Sequence, residues 1–244
     1  MSIDSASWNE LREELAHQQA FMEMFTAAWC SDYRRAGGII HCGRGCSGCC
    51  SLAVSCTLTE AVAIAESLSE CQAAAVTAHA LELRDRMTGI DSLKDYLRMH
   101  RREMGGCPLL DADGACGIYP VRPLSCRALI STRENHWCTV DFSELSSEEK
   151  RDFVESLDRS VVAFPLHYVA STRDTGQELE GRCLSLMQET FGYSLYGNLP
   201  VLLHLVSEHG LGSAYSGAEA AAILQSSGFD HPLLTNLEFR PEGE

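Results

Sequence analysis

Apolar residues recur on a helical period through most of this chain. Over about 7–35, Leu11, Leu15, Phe21, Met22, Phe25 and Trp29 keep that spacing, and Ser7-x-x-Glu10 reads as a capping box. Gly37-Gly38 should end the helix. Thr57-Leu-Thr-Glu60 is a second capping box, opening a helix that runs to Leu68. An alanine-rich stretch over 71–87 predicts a third helix, stopped near Gly89. Asp91-Ser92 caps a fourth, ended by Gly105-Gly106. Beyond the middle of the chain, Ser146-Ser147-Glu148-Glu149 starts a helix to about Phe164, with Pro165 at or past its end. Further helices are predicted over 176–191, 200–209 and 218–225.

Period-two alternation is scarce, and Arg127-Ala-Leu-Ile-Ser131 is the best short strand. Glycines and prolines hold two stretches out of regular structure. Gly43, Gly45 and Gly48 punctuate the first; Pro108, Gly114, Gly117, Pro120 and Pro123 punctuate the second. The expected fold is mainly α, a helical domain with irregular Gly/Pro-rich loops. Its expected division is an N-terminal helix over 1–40, a core over 41–140 and a helical region over 141–244, the last either packed as one domain with the core or separate from it.

Composition narrows the class. With 244 residues and 45% hydrophobic content the chain can bury a sizeable core. No apolar run approaches the roughly 20 residues of a membrane helix, and the N-terminus lacks a secretory pattern, so a cytoplasmic protein without a membrane partner is expected. A net charge of −15 repels phosphate, which argues against a nucleic-acid partner. The basic patch at Arg98, His100, Arg101 and Arg102 fits the C-terminal dipole of a helix.

The twelve cysteines change the picture most. Eight cluster in the irregular stretches: Cys42, Cys46, Cys49 and Cys50 in the first, then Cys107, Cys116 and Cys126 with Cys138 a little beyond. A disulfide scaffold would be small and exported, unlike this chain. Thiols on a tight turn such as Cys46-x-x-Cys49 can meet one cation, and glycines with positive φ let a loop wrap a metal with its amides toward the sulfurs. Four thiolates satisfy one zinc ion or one 4Fe-4S cluster, so seven or eight leave room for a second metal or for reactive thiols. The two groups must close on each other across the helices between them. Metal loss should then unfold much of this half, since zinc affinities of roughly 10–16 kcal/mol match or exceed a domain's net stability of about 5–15 kcal/mol.

Other residues carry weaker signals. Arg44, Arg122 and Arg127 either offset thiolate charge or pin the loop through Asp111, Asp113 or backbone carbonyls. Cys30, Cys71 and Cys183 read as core, Cys56 is ambiguous, and Tyr119 reads as packing. Asp111-Ala-Asp-Gly114 reads as a turn rather than a calcium loop. His136 is a weaker ligand candidate than Cys138, while His167, His204 and His209 read as structural.

The strings Cys46-Ser-Gly-Cys49-Cys50, Thr57-Leu-Thr-Glu-Ala61, Cys107-Pro-Leu-Leu, Gly114-Ala-Cys116-Gly-Ile-Tyr119 and Arg122-Pro123-x-x-Cys126-Arg127 resemble the CxxCxxCC cysteine-cluster family, also called YkgJ-like. The resemblance spans roughly 40–130 and implies a zinc- or iron-chelating domain. Here the first spacing, Cys42-x-x-x-Cys46, is one residue longer than the usual one. The motif is also similar in part to flagellin lysine methylases, which implies an iron–sulfur cluster. Neither resemblance implies a reaction. The chain has no P-loop, dinucleotide-binding glycine fingerprint, HExxH or GxSxG. Three expectations follow: a metal-binding protein of structural role, a redox protein or enzyme using the cluster, or a metal storage or delivery protein.

Overall fold

The computed structural model describes residues 3–43 and 45–241, with side chains described from Ser7 onward. A long helix, α1 (Ile3–Arg35), leads into the first cysteine loop. It is already helical before Ser7, so Ser7-x-x-Glu10 lies inside the helix and does not cap it. Its end is as expected, with Gly37 taking φ +90°. The loop closes in a single 3-10 turn, Gly48–Ser51, and the chain enters β1 (Ser55–Thr57) and α2 (Leu58–Ala65). Thr57 caps α2 through the full reciprocal box with Glu60. Next come α3 (Glu70–Arg86) and α4 (Leu93–Glu103), capped by Ser69 and Ser92.

The second cysteine loop holds a 3-10 turn, Tyr119–Val121, and two short helices, α5 (Leu124–Ala128) and α6 (His136–Thr139). The strand expected at 127–131 does not form. Arg127 and Ala128 end α5, and only Ser131 makes an isolated bridge, to Tyr168. After α7 (Ser147–Glu155), capped by Ser146, the chain is irregular to Val169, so this helix stops well short of Phe164 and Pro165 does not terminate it. Then follow α8 (Ala170–Phe191), β2 (Tyr193–Asn198), α9 (Leu199–His209), α10 (Gly217–Ser227) and β3 (Thr235–Phe239).

The fold is mainly α, with one small antiparallel sheet in the order β1-β2-β3. Strand β2 is buried along nearly its whole length, which explains why period-two patterning does not reveal it. The main core draws Trp8 from α1, Ile64 from α2, Leu83 from α3, Leu195 from β2, Leu203 from α9 and Phe229 near the C-terminus. Helices α2 and α3 pack on α9, while α5 lies between α1 and α8. A second apolar cluster at that junction contains Leu15, Met22, Leu124, Ala128, Leu179 and Cys183. Both cysteine loops are therefore anchored at their rims by buried helices.

Candidate metal centre

The loops meet through backbone and carboxylate contacts before any thiol is considered. The amide of Cys107 donates to the carbonyl of Cys50 at 2.9 Å, closing the stretch from α2 through α4. Glu60, fully buried, accepts from the amides of Thr57 (2.8 Å) and Leu124 (2.7 Å), so the cap of α2 also fixes the start of α5 and hence Cys126. Arg127, only 4% exposed, donates to the carbonyls of Pro120 and Arg122 and pairs with Glu23 of α1 at 2.5 Å. Arg122 reaches the same carboxylate at 2.7 Å. The carbonyl contacts match the loop-pinning expectation, but the acidic partner is Glu23, not Asp111 or Asp113. Arg44 lies outside the described residues.

The first loop closes on α6 because position 48 carries no side chain. A Cβ there would stand 2.7 Å from the carbonyl oxygen of Asn135 and 3.0 Å from Cβ of Cys138. Of the three glycines in this loop only Gly45 has positive φ, at +82°. Gly48 serves close packing instead, and brings Cys138 beside the 3-10 turn.

Seven thiols then sort into two overlapping sets of four. Cys49, Cys107, Cys116 and Cys126, together with Cys50, line a small void walled by Val54, Leu110, Ile118, Leu129 and Leu199. Within the four, thiolates at Cys49, Cys107 and Cys116 would raise Cys126, thiolates at Cys116 and Cys49 would raise Cys107, and a thiolate at Cys49 would raise Cys116. Burial pushes the Cys107 thiol up to about 11 and raises those of Cys116 and Cys126. Amides of Leu109 and Ile118 hydrogen-bond the Cys107 and Cys116 sulfurs and oppose the rise. The second set is Cys42, Cys46, Cys49 and Cys138. Burial raises Cys42 to about 11, while the amide of Ser131 donates to its sulfur at 3.1 Å. Cys49 belongs to both sets. A hydrogen bond with Cys50, and then burial, raise its thiol strongly.

The donor set fits a thiophilic metal: clustered thiols from separate loops, backbone amides turned onto three of the sulfurs, and apolar walls that exclude competing water. Among the described residues, no three Cys, His, Asp or Glu side chains already converge on one point as ligands of a single ion.

The family comparison agrees with the donor chemistry. Residues 41–141 match the CxxCxxCC family model. Its description is "Putative zinc- or iron-chelating domain", and the matched stretch holds all eight cysteines of the two loops. No curated protein and no solved structure matches the chain.

Around the CxxCxxCC segment the remaining candidates take definite places. His167, read from sequence as structural, lies with Nε2 3.4 Å from the sulfur of Cys138, and Tyr168 also hydrogen-bonds that thiol. Nothing in the local spacing joins His167 to a cysteine 29 residues earlier, so only the return of the chain after α7 reveals the pair. His136 is exposed. Cys30 is buried and lines, with Cys42, Cys46, Cys49, Cys50 and Cys116, an open cleft of about 250 Å³ that leads to the sulfurs. Cys56 and Cys183 are buried, as core residues should be, but Cys71 is exposed on α3 and does not pack in the core. Tyr119 is 50% exposed and stacks on the guanidinium of Arg122 at 3.7 Å, so it packs on the loop surface. Asp111-Ala-Asp-Gly114 is a turn, held by the amide of Ala115 on Asp113 and by φ +78° at Gly114.

Proposed function

We propose that the chain is a metal-chelating protein of the cytoplasm in which thiols of both loops hold an iron–sulfur cluster, with Cys49, Cys107, Cys116 and Cys126 as its ligands. One observation carries the reading: these four thiols, drawn from chain positions up to 77 residues apart (126 − 49), line one small void together with Arg122, close enough for each thiolate to raise its neighbours. Donors that surround a space suit a polynuclear cluster better than a single ion, which needs all four sulfurs about 2.3 Å from one point. The amide hydrogen bonds on Cys107 and Cys116 are of the kind that tunes such a cluster. Cys42, Cys46 and Cys138, with His167 beside Cys138, form a second donor set that shares Cys49 and can take a zinc ion or an iron.

A redox or catalytic role for the cluster is favoured over a purely structural one by the open cleft, which gives a small molecule a path to Cys46, Cys49 and Cys116. The test is anaerobic purification followed by iron, sulfide and zinc analysis with a visible spectrum, on the parent and on Cys126→Ser, with Cys71→Ser as control. Stoichiometric iron and sulfide with visible absorption, lost in Cys126→Ser and kept in Cys71→Ser, is the expected result. Stoichiometric zinc in a colourless protein would replace the cluster by zinc at the same residues, and a metal-free protein would overturn the proposal.

A further inference from the structure

A second and larger cavity, of about 600 Å³, adjoins the cysteine site on the side of Cys138. That volume lies inside the range of about 300–1,000 Å³ typical of small-molecule pockets. Its walls are apolar. Leu52, Leu129, Trp137, Phe142, Phe153 and Leu166 line it. The aromatic wall is packed as a unit, with Trp137 and Phe153 ring centres 4.5 Å apart and those of Phe142 and Phe153 4.8 Å apart.

The charged groups lining the cavity are all cations, and they come from three helices. Arg101 is on α4, Lys150 on α7 and Arg173 on α8; no Asp or Glu lines the space. Among the described residues neither Arg101 nor Lys150 forms an ion pair, and Arg173 has only its neighbour Asp174 at 3.7 Å. Arg101 donates to the carbonyl of Val140, which fixes the guanidinium at the wall with further N–H groups left to donate. In a chain of net charge −15, three cations and no carboxylate around one apolar cavity is a local reversal of sign.

We propose that this cavity binds an organic carboxylate with an apolar body, an acyl or aryl acid, its anion met by the lining cations and its body held among Trp137, Phe153 and Leu166. The cations give the site its preference for an anion, and the aromatic wall gives it affinity for the body. The inference does not rest on the metal reading, since none of the three cations lies in a cysteine loop. It does place the ligand against Cys138 and His167, where the cavity and the thiols share a wall.

The test uses decanoate as probe, titrated into the full chain by calorimetry and tryptophan fluorescence, with decanol as a control of the same body and no charge. Saturable one-to-one binding of decanoate, about tenfold or more tighter than decanol, is expected from charge-assisted contacts. The double variant Lys150→Gln/Arg173→Gln, which keeps Arg101, should weaken decanoate several-fold toward the affinity of decanol and leave decanol unchanged. Val154→Trp, which fills the cavity, should abolish both while a retained melting transition shows that the fold is intact. Equal affinities for decanoate and decanol in the parent, non-saturable binding, or an unaltered decanoate affinity in the double variant would each overturn the proposal.

Discussion

Replacing Glu60 by alanine should destabilise the protein and weaken the cysteine site together. Its carboxylate is fully buried; Oε1 accepts from the Leu124 amide at 2.7 Å, and Oε2 accepts from the Thr57 amide at 2.8 Å and the Thr57 hydroxyl at 3.0 Å. Alanine leaves two buried backbone donors without partners. At about 1–3 kcal/mol for each unsatisfied group, the direct loss is about 2–6 kcal/mol. Relief of the carboxyl's own burial, which raises its pKa, works the other way. A net loss of about 3 kcal/mol follows, or a melting point lower by roughly 6–12 °C for a chain of this size. Glutamine keeps one acceptor oxygen but presents an NH2 group to the other site, so it should cost about half as much. Because Leu124 opens the helix that carries Cys126, metal retention should fall in the same order: parent, Gln, Ala. Urea unfolding with metal analysis checks both. An alanine variant within about 1 kcal/mol of the parent, or equal losses for the two variants, would refute the reasoning.

Glu180 predicts a pH dependence. Burial, with Glu60 adding, pushes its carboxyl up to about 8, from 4.5, and its Oε1 has no hydrogen-bond partner. Between those values the folded state holds a proton that the unfolded chain has released, so stability falls as pH rises through that window. Glu180→Gln should flatten the trend in urea midpoints measured across that range, and an unchanged slope would contradict the assignment. Gly48→Ala should force α6 and Cys138 away from the first loop, with a cost of about 1–3 kcal/mol and reduced metal content; a variant with parental melting point and metal would show that the close approach is dispensable. Stripping metal with a chelator should lower the melting point and open residues 105–140 to proteolysis while α2 and α3 stay folded against α9. Loss of most helical circular dichroism would instead bear out the wider collapse expected from sequence.

Much of the helical order was legible because it is written locally. Thr57 with Glu60, Ser92 and Ser146 with Glu149 each cap where their residue types predict, since a capping bond spans only three residues. The failures at β2 and α5 share one cause. Strand β2 pairs with β1 and β3 from distant parts of the chain, and α5 is held by Glu60, Glu23 and α8 more than by its own five residues. The cysteine spacing announced a metal without the partition of its thiols. Cys49 joins both donor sets only because Gly48 admits α6, and His167 reaches Cys138 only after the irregular stretch beyond α7 returns. The acid partner of Arg122 and Arg127 was misplaced for the same reason: Glu23 lies on a helix about a hundred residues earlier.

The single hydrogen bond from Cys107 to Cys50 has a topological consequence. It sits at the neck of a loop containing α2, α3 and α4, with cysteines on both strands of the neck. Any metal bridging those strands is a clasp on the neck. A permanent cross-link closing a loop of this length would remove about 4 kcal/mol of entropy from the unfolded chain. A metal clasp acts on the same term but can be opened by chelation or oxidation. Metal supply would thereby set how long this protein survives unfolding forces and proteases, independently of any chemistry the metal performs.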